Sequence, residues 1–307
     1  MSRLQSFFAR HALLQRMMLP VCATFCALLW GSAFPAIKYA YRFMDGTQLD
    51  NRMAFAGIRF VIAGGVLLLF LHGKREAFRN APKGRLFGIA IMQVVVQYTC
   101  FYWGLAMISG VVAAILVATG SFWWALLAPA FGQGDKLTMR QWMFLLLGFA
   151  GVCVCVYRPD AKNEAIFFGS LLILGTSLSA TSASLMVKSL KGAVSTTFLT
   201  GFGLTTGGLV LVLASPGGVV HYFEQAGPEL ILITLHLALI SALAFSVWYL
   251  LITIFDITRL SGYRFLIPIF GVLESALLIP GESLSLQILI GSMFVLLAVW
   301  LLEQFRN

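Results

Sequence analysis

The segment Gly262–Ser283, with the sequence GYRFLIPIFGVLESALLIPGES, has the length of a membrane span but contains residues that membranes rarely hold. Its apolar run is long enough to cross a bilayer, yet it contains Pro268 and the carboxylate of Glu274. A charge in the hydrocarbon costs at least about 2.5–3.5 kcal/mol, so such residues usually face the interior of a helix bundle. Neighbouring helices must also satisfy the carbonyl that a proline frees. The segment therefore predicts a bundle of membrane helices, with Glu274 as a candidate functional residue.

The composition of the whole chain predicts the same class of protein. Of its 307 residues, 60% are apolar and only 11% are charged. Repeated apolar segments of about 20 residues indicate an all-α integral membrane protein. The net charge of +9 is typical of nucleic-acid-binding proteins, but the basic residues are concentrated in the loops of one membrane side, which indicates topology. We therefore expect no nucleic-acid partner.

Ten apolar segments follow one another, separated by short polar loops. We predict transmembrane helices at about 18–41, 53–71, 86–108, 111–131, 139–157, 166–187, 196–214, 229–252, 262–283 and 284–302. Lysine and arginine are concentrated in alternate loops, above all in HGKREAFRNAPKGR at 72–85. Because such loops stay in the cytoplasm, the terminal segments 1–17 and 303–307 are both predicted to be cytoplasmic. The protein itself is predicted to lie in the inner (plasma) membrane.

The two halves of the chain, residues 18–157 and 166–302, carry matching landmarks in the same order. The matched groups are Ser32-Ala33 before Lys38 with Ser182-Ala183 before Lys188, Gly57 and Gly64 with Gly201 and Gly208, and Gly134-Asp135 with Gly281-Glu282. A second copy of a five-span unit must enter the membrane from the opposite side. We therefore predict two inverted five-helix repeats, an architecture that many secondary transporters use for alternating access.

The landmarks resemble the EamA-type ten-helix members of the drug/metabolite transporter superfamily. The residues that carry the resemblance are Trp30-Gly31-Ser32 with Lys38, Arg59-Phe60, the segment 265–270 and Gly281-Glu282. It covers the chain after about residue 18 and implies an inner-membrane carrier that exports small metabolites through a central cavity between the halves. The chain differs from the family pattern at Ser121, where a proline is common, and at Glu274, where family members are usually apolar.

Four ionisable side chains are predicted to share the outer half of the bilayer, namely Glu274, Arg59, His236 and Lys38. Glu274, Arg59 and His236 are each expected roughly 9–12 Å below the outer surface, from the helical rise. We hypothesise that Glu274 faces the cavity, pairs with Arg59 or Lys38, and exchanges a proton or a cationic group of the cargo. The alternative is a static ion pair that fixes helix packing.

The other charged residues also have structural alternatives. Arg59 would then hold the second helix in register, and Lys38 would extend to the headgroups. His236, predicted to be buried, is either a proton relay or a partner of a backbone carbonyl. Arg264 is predicted to interact with Asp256 or a lipid phosphate at the cytoplasmic end.

Polar and aromatic residues complete the predicted pathway. Gln93 and Gln97 lie one helical turn apart, and because amides in a membrane need partners, they predict a polar stripe that faces the interior. The resemblance implies that aromatic residues of the cavity-lining spans, among them Trp30, Tyr102, Trp124 and Tyr249, contact the cargo. Such walls suit flat or cationic molecules, although any one of these residues also fits simple packing.

These features favour a secondary transporter of a small polar or amphipathic metabolite, amino-acid-like or drug-like, that works as an exporter by alternating access and is driven by a proton gradient or a substrate gradient. The sequence has no Gly-x-x-x-x-Gly-Lys-Ser/Thr motif, which excludes a phosphate-loop ATPase within this chain. The four histidines are dispersed and the five cysteines lie within apolar spans, so we expect no enzyme, metal or cofactor. A flippase for lipid-linked substrates or an assembly subunit stays the alternative. One chain supplies both halves, so a monomer is sufficient.

Overall fold

The computed structural model describes residues 12–107, 116–132, 137–156, 166–278 and 286–305, and within these ranges all regular structure is helical. The helices are α1 Ala12–Ala40, α2 Leu49–Leu69, α3 Lys74–Asn80, α4 Lys83–Ala90, α5 Gln97–Met107, α6 Gly120–Leu127, α7 Met139–Val156, α8 Ile166–Ser189, α9 Thr196–Ala214, α10 Pro216–Glu224, α11 Pro228–Ile254, α12 Ile257–Tyr263, α13 Leu266–Leu278 and α14 Leu286–Gln304. A π-helical turn, Ile91–Val96, joins α4 to α5, and a 3₁₀ turn, Pro129–Phe131, follows α6.

The long helices are those of a multi-pass membrane protein. Six helical stretches of the described chain are long and apolar enough to cross a bilayer, namely Met17–Ala40, Leu49–Leu69, Lys83–Met107, Phe167–Ser189, Thr196–Ala214 and Pro228–Ile254. Two shorter apolar stretches are Met139–Val154 and Leu289–Leu302. Ten complete spans therefore stay a prediction, since the described residues of the predicted fourth and ninth spans, 116–131 and 262–278, form only short helices. The landmarks Gly134-Asp135 and Gly281-Glu282 lie outside the described residues.

The ninth segment is interrupted where the sequence holds its proline. Helix α12 ends at Tyr263, and α13 begins at Leu266 after a turn at Arg264 and Phe265. Pro268 is the third residue of α13, in the first turn, where a missing backbone N–H removes no helical hydrogen bond. The proline thus accompanies a helix start within the membrane and does not bend a continuous helix.

Helices α2 and α9 cross at their glycines. A Cβ atom built on Gly57 would lie 2.9 Å from the carbonyl oxygen of Gly208, and one built on Gly208 would lie 2.8 Å from that of Gly57. One built on Gly64 would lie 2.5 Å from the carbonyl oxygen of Gly201. Gly57 in α2 thus faces the later glycine of α9, Gly208, and Gly64 faces the earlier one, Gly201. The two helices are therefore antiparallel. Small residues allow this close approach of membrane helices.

The remaining contacts join the two halves of the chain. Helix α7 packs against α14, α1 packs against both α11 and α13, and α8 packs against α5 and α6. The α7–α14 contact is again close, because a Cβ atom on Gly151 would lie 2.7 Å from the carbonyl oxygen of Gly291. The largest group of buried apolar residues includes members of both halves. The two halves therefore share a core.

The π-helical turn is supported by hydroxyl groups of α8. Ser179 donates to the carbonyl oxygen of Met92 at 2.6 Å, and Thr176 donates to that of Gln97 at 3.3 Å and to that of Leu172 in its own helix. A π turn leaves carbonyls outside the regular helical pattern. The hydroxyl-rich stretch of α8 satisfies two carbonyls of this span.

Candidate functional site

Arg59 lies in the middle of a membrane helix without a counter-ion. It is the eleventh of the 21 residues of α2 and is 3% exposed. The guanidinium carbon lies 4.6 Å from the ring centroid of Phe60 and 5.5 Å from that of Tyr98. Its Nε is buried and has no hydrogen-bond partner, and no carboxylate of the described residues pairs with it. The guanidinium therefore lies against ring faces and forms a side-chain hydrogen bond with Tyr98.

Tyrosine side chains surround this arginine. Tyr98 packs against Phe60, with ring centroids 4.6 Å apart, and against Tyr102 at 6.2 Å. Tyr102 is 1% exposed, and its buried hydroxyl has no hydrogen-bond partner in the structure. The same holds for the hydroxyl of Tyr41, which is close enough to Arg59 and Tyr102 for electrostatic interaction. We call Arg59, Tyr41, Tyr98 and Tyr102 the Arg59 cluster.

A chain of polar side chains extends from this cluster into the second half of the protein. The hydroxyl of Tyr249 on α11 donates to Oε1 of Gln93 at 3.3 Å. The amide nitrogen of Gln93 donates to Oε1 of Gln97 at 2.7 Å. The amide nitrogen of Gln97, the neighbour of Tyr98 in sequence, forms no hydrogen bond within the described part of the chain. The row of hydrogen-bonded side chains thus ends at Gln97, whose amide nitrogen is a donor without an acceptor among the described residues.

Aromatic rings from three spans meet beside these polar groups. Trp30 packs edge-on against Trp248 and Phe245, in both cases with centroids 5.4 Å apart. Trp248 lies 6.2 Å from Trp124, which is fully buried and whose indole N–H has no partner. Phe245 continues to Tyr249 at 6.2 Å. Three of the four aromatic residues expected to line the pathway, Trp30, Trp124 and Tyr249, are therefore connected through ring contacts.

Arg264 also points into the bundle. Its guanidinium carbon lies 5.5 Å from the ring centroid of Trp124, and its Nη2 is 2.9 Å from the position that a Cβ atom on Gly120 would occupy. The expectation that Arg264 contacts Asp256 or a lipid phosphate is wrong, because the break between α12 and α13 directs it towards α6, where a glycine leaves room.

Three of the ionisable residues lie outside the Arg59 cluster. Both carboxylate oxygens of Glu274 on α13 are buried and accept no hydrogen bond, so a hydrogen-bonded pair with Arg59 or Lys38 does not form in this conformation. Lys38 is exposed near the end of α1.

His236 is exposed, so the expectation that it is buried is wrong. It shares the outward stripe of α11 with Leu232, Leu235 and Leu239, whereas Thr234 and Leu237 form the buried face. It lines an open apolar groove of about 510 Å³ between α1 and α11, beside Ala36 and Tyr39. The helical period decides this side: a residue two positions from Thr234 and one from Leu237 faces away from the core.

Tyr41 and Tyr98 were not among the predicted site residues, although the structure places them beside Arg59. The sequence does contain a signal for Tyr98, which follows Gln97 directly and precedes Tyr102 by one turn. Regular helical spacing does not place Tyr98 on the correct face of the span, because the π-helical turn before it contains an extra residue.

Comparisons with known proteins identify the class of this chain. Residues 18–157 match the EamA-like transporter family. An uncharacterized transporter of Archaeoglobus fulgidus is 26% identical over 90% of this chain and 95% of its own length, and one of Bacillus subtilis is 26% identical over 91% and 89%. A probable amino-acid metabolite efflux pump of Escherichia coli is 20% identical over 92% and 93%.

The fold also has a solved counterpart. The crystal structure of a protein that is 17% identical matches 91% of this chain and 94% of its own length, with a TM-score of 0.69. The likeness shows a shared fold. Together with the apolar helices and the named relatives, these matches show that the chain is a membrane transporter and not an enzyme. Its residues 18–157 are similar to the EamA-like transporter family, in agreement with the resemblance to the drug/metabolite transporter superfamily.

Proposed function

We propose that the chain exports a small polar or amphipathic metabolite, amino-acid-like or drug-like, across the inner membrane by alternating access. One observation carries the proposal: polar side chains from both halves of the chain are enclosed together near the middle of the membrane. Arg59, Gln93 and Gln97 come from the first half and Tyr249 from the second. Polar groups in this position are costly to bury and mark a path for solutes.

The depth of the enclosed groups supports this function. Arg59 is ten residues from either end of α2, or roughly 15 Å at the helical rise. Substrate sites of many secondary transporters lie near the bilayer midplane, at the interface of two repeats. Arg59, Gln93, Tyr102 and Tyr249 are all buried, which fits a conformation that is closed towards both sides.

The pattern of helix contacts supports two inverted repeats. If the repeats are matched span by span, α1 corresponds to α8, α2 to α9, and α4 with α5 to α11. In the same matching, α6 corresponds to α13. If the two halves are exchanged, the α1–α11 contact becomes the α8–α5 contact and the α1–α13 contact becomes the α8–α6 contact. All four contacts are present. The antiparallel α2–α9 pair converts into itself. We infer a five-helix repeat at 18–157 and a second at 166–302.

Glu274 is the residue that we propose for proton exchange. Its carboxylate oxygens are buried without a hydrogen-bond donor, and an unpaired carboxylate is costly to bury in its charged form. It lies on α13, which packs against α1, so a change in its protonation acts directly on the contact between the two halves. We expect Glu274→Gln to remove the dependence of export on the proton gradient, measured in vesicles with an imposed pH difference. Glu224→Gln, at an exposed carboxylate at the end of α10, is the matched control, and an unchanged Glu274→Gln variant would contradict the coupling role.

The export function is tested by comparing metabolites in the supernatants of cells with and without the protein. Accumulation of a compound outside only in cells that make the protein supports export and identifies the cargo. Depletion of a medium component would show that transport is inward and would contradict export. Unchanged pools of all metabolites would contradict metabolite transport.

The second candidate, a flippase for lipid-linked substrates, is favoured by the open groove between α1 and α11. Its lining is mainly apolar and includes His236 and Leu239, as a lipid chain would require. Movement of a labelled lipid between the leaflets of liposomes that contain the purified protein would favour this function over solute export.

A further inference from the structure

We propose that the Arg59 cluster binds a carboxylate group of the cargo. The inference rests on the proposed transport function and adds the substrate class: a monoanionic organic acid whose carboxylate contacts Arg59. The aromatic residues beside the cluster would hold an apolar portion of the same molecule.

The first argument is the charge of Arg59. Its guanidinium remains protonated at all physiological pH values, it is 3% exposed, and no carboxylate of the described residues neutralises it. The rings of Phe60 and Tyr98 offer cation–π contacts, but an ion taken out of water is compensated well only by an opposite charge with hydrogen bonds. In the closed state an anion supplied by the cargo provides that charge.

The second argument is the kind of hydrogen bond that is missing. The Nε–H of Arg59 is a buried donor without an acceptor, and the hydroxyls of Tyr41 and Tyr102 are buried without any partner. Gln97 is half-buried, and its amide nitrogen adds a donor that forms no hydrogen bond within the described residues. Buried polar groups are almost always paired in native structures. An ionised carboxylate is purely an acceptor with two oxygens and about four lone-pair positions, so one such group satisfies the guanidinium and two or three of its neighbours.

The third argument distinguishes a carboxylate from other ligands. A cationic cargo would add a second positive charge next to Arg59, where the cluster has no negative group. A doubly charged phosphate would meet a single cation. The planar guanidinium fits the two oxygens of a carboxylate in a bidentate pair, and the neighbouring rings accept an apolar body. The geometry therefore points to a monocarboxylate with an amphipathic or aromatic remainder.

The proposal is tested by the binding of matched acids and amides to the purified full-length protein in detergent. The probes are phenylacetate with phenylacetamide and L-phenylalanine with L-phenylalaninamide, which differ in the group that would contact Arg59. Affinity is measured by isothermal calorimetry and by the shift of the thermal unfolding midpoint with concentration. We expect the wild type to prefer at least one acid over its amide by about tenfold or more, since bidentate charged hydrogen bonds are among the strongest in proteins.

Substitutions assign the preference to the cluster. Arg59→Gln is expected to reduce the acid-to-amide ratio to about one, and Arg59→Lys to retain only part of it, since a lysine keeps the charge without the planar fork. Tyr102→Phe is expected to lower the ratio several-fold. Arg42→Gln, which removes an exposed arginine stacked on Tyr39, is the control for net charge and should keep the wild-type ratio. If Arg59→Gln does not fold, the acid-to-amide ratios of Arg59→Lys and Tyr102→Phe test the proposal in its place.

Two results would overturn the proposal: a wild-type protein that prefers neither acid over its amide, or an Arg59→Gln variant that keeps the preference. The outcome is separable from that of the proposed function. Export in the supernatant assay together with an unchanged Arg59→Gln ratio rejects only the carboxylate site. A cluster-dependent preference for acids in a protein that changes no metabolite pool rejects only the export function.

Discussion

Among single residues, Tyr249 is the one that links the polar chain of the first half to the second half. Its hydroxyl donates to Gln93, which in turn donates to Gln97. We expect Tyr249→Phe to leave Oε1 of Gln93 without its donor, to lower the free energy of unfolding by about 1 kcal/mol, and to reduce transport of the cargo, because Gln93 is then free to turn away from Gln97. Transport into proteoliposomes and thermal unfolding measure the two effects.

Tyr222→Phe provides the matched control for this prediction. The Tyr222 hydroxyl bonds to that of Thr234 at 2.8 Å, also in a buried position, but in a separate apolar cluster formed by α1, α2, α10 and α11. A similar loss of stability with normal transport is expected. If both variants transport equally well, the bond between Tyr249 and Gln93 has no part in function.

The sequence predicts the interior amides better than it predicts the charges. Gln93 and Gln97 lie on one polar stripe as expected, because a spacing of four residues survives small changes in helical pitch. His236 was expected inside and is exposed, because its side depends on the helix rotation, which the apolar residues all round α11 do not reveal. Glu274 was expected to pair with Arg59 or Lys38, but whether two charges meet depends on how α13 packs against the other helices, and no local pattern encodes that.

At the scale of elements, the glycines that match between the two halves meet at the α2–α9 crossing. We expect Gly208→Ala to destabilise the protein by about 1–3 kcal/mol, as overpacking does, because its Cβ would lie 2.8 Å from the carbonyl oxygen of Gly57 and cannot be accommodated by a side-chain rotation. Thermal unfolding in detergent measures the effect.

The control for this contact is Gly65→Ala in the same helix pair. No atom lies within 4 Å of a Cβ atom at Gly65, so the substitution should stabilise α2 slightly, by about 0.5–1 kcal/mol, from helix propensity alone. Equal effects of the two alanines would show that the glycines do not act through helix approach.

The elements themselves were predictable to different degrees. The seventh span was predicted at 196–214 and the helix is Thr196–Ala214, because a polar Ser195 cap and a serine-proline pair bound it. The break at Arg264 and Phe265 was not expected, although Pro268 was recognised as a disturbance. The π-helical turn has no local signal, since its carbonyls are satisfied by Ser179 and Thr176 of a helix about 80 residues away in sequence.

At the scale of the whole molecule, the charges of the loops predict the orientation. Lysine and arginine are concentrated in 72–85 and in the other loops of the same side, so we expect this side to face the cytoplasm. A reporter enzyme that works only in the cytoplasm should be active when it is fused after residue 305 or within 72–82. At 225–227, between α10 and α11, only a reporter that works outside the cytoplasm should be active. A C-terminal fusion active outside would reverse the orientation and, with it, the side on which each gate opens.

The all-helical membrane fold could be predicted because each span is marked by its own apolar segment, whereas the site could be predicted only in part because its residues come from different spans. The Arg59 cluster combines residues of α2, of α5 and of the turn after α1, and its link to Tyr249 requires α11. Apolar periodicity identifies each span separately, but it does not determine which faces meet at the centre.

The π-helical turn at Ile91–Val96 makes the interior of this protein sensitive to the winding of a single helical turn. Because a π turn holds one residue more than the α-helical turn it replaces, each residue after it occupies the position that its predecessor would have in a regular helix, about 100° away. Rewinding this turn into a regular helix without loss of a residue would therefore rotate Gln97, Tyr98 and Tyr102 together away from Arg59. An in-frame deletion of one codon in the same turn would restore the regular helix and leave the orientation of these side chains unchanged, so substitutions that favour or disfavour the π turn, and not deletions, would exchange one set of cargo contacts for another.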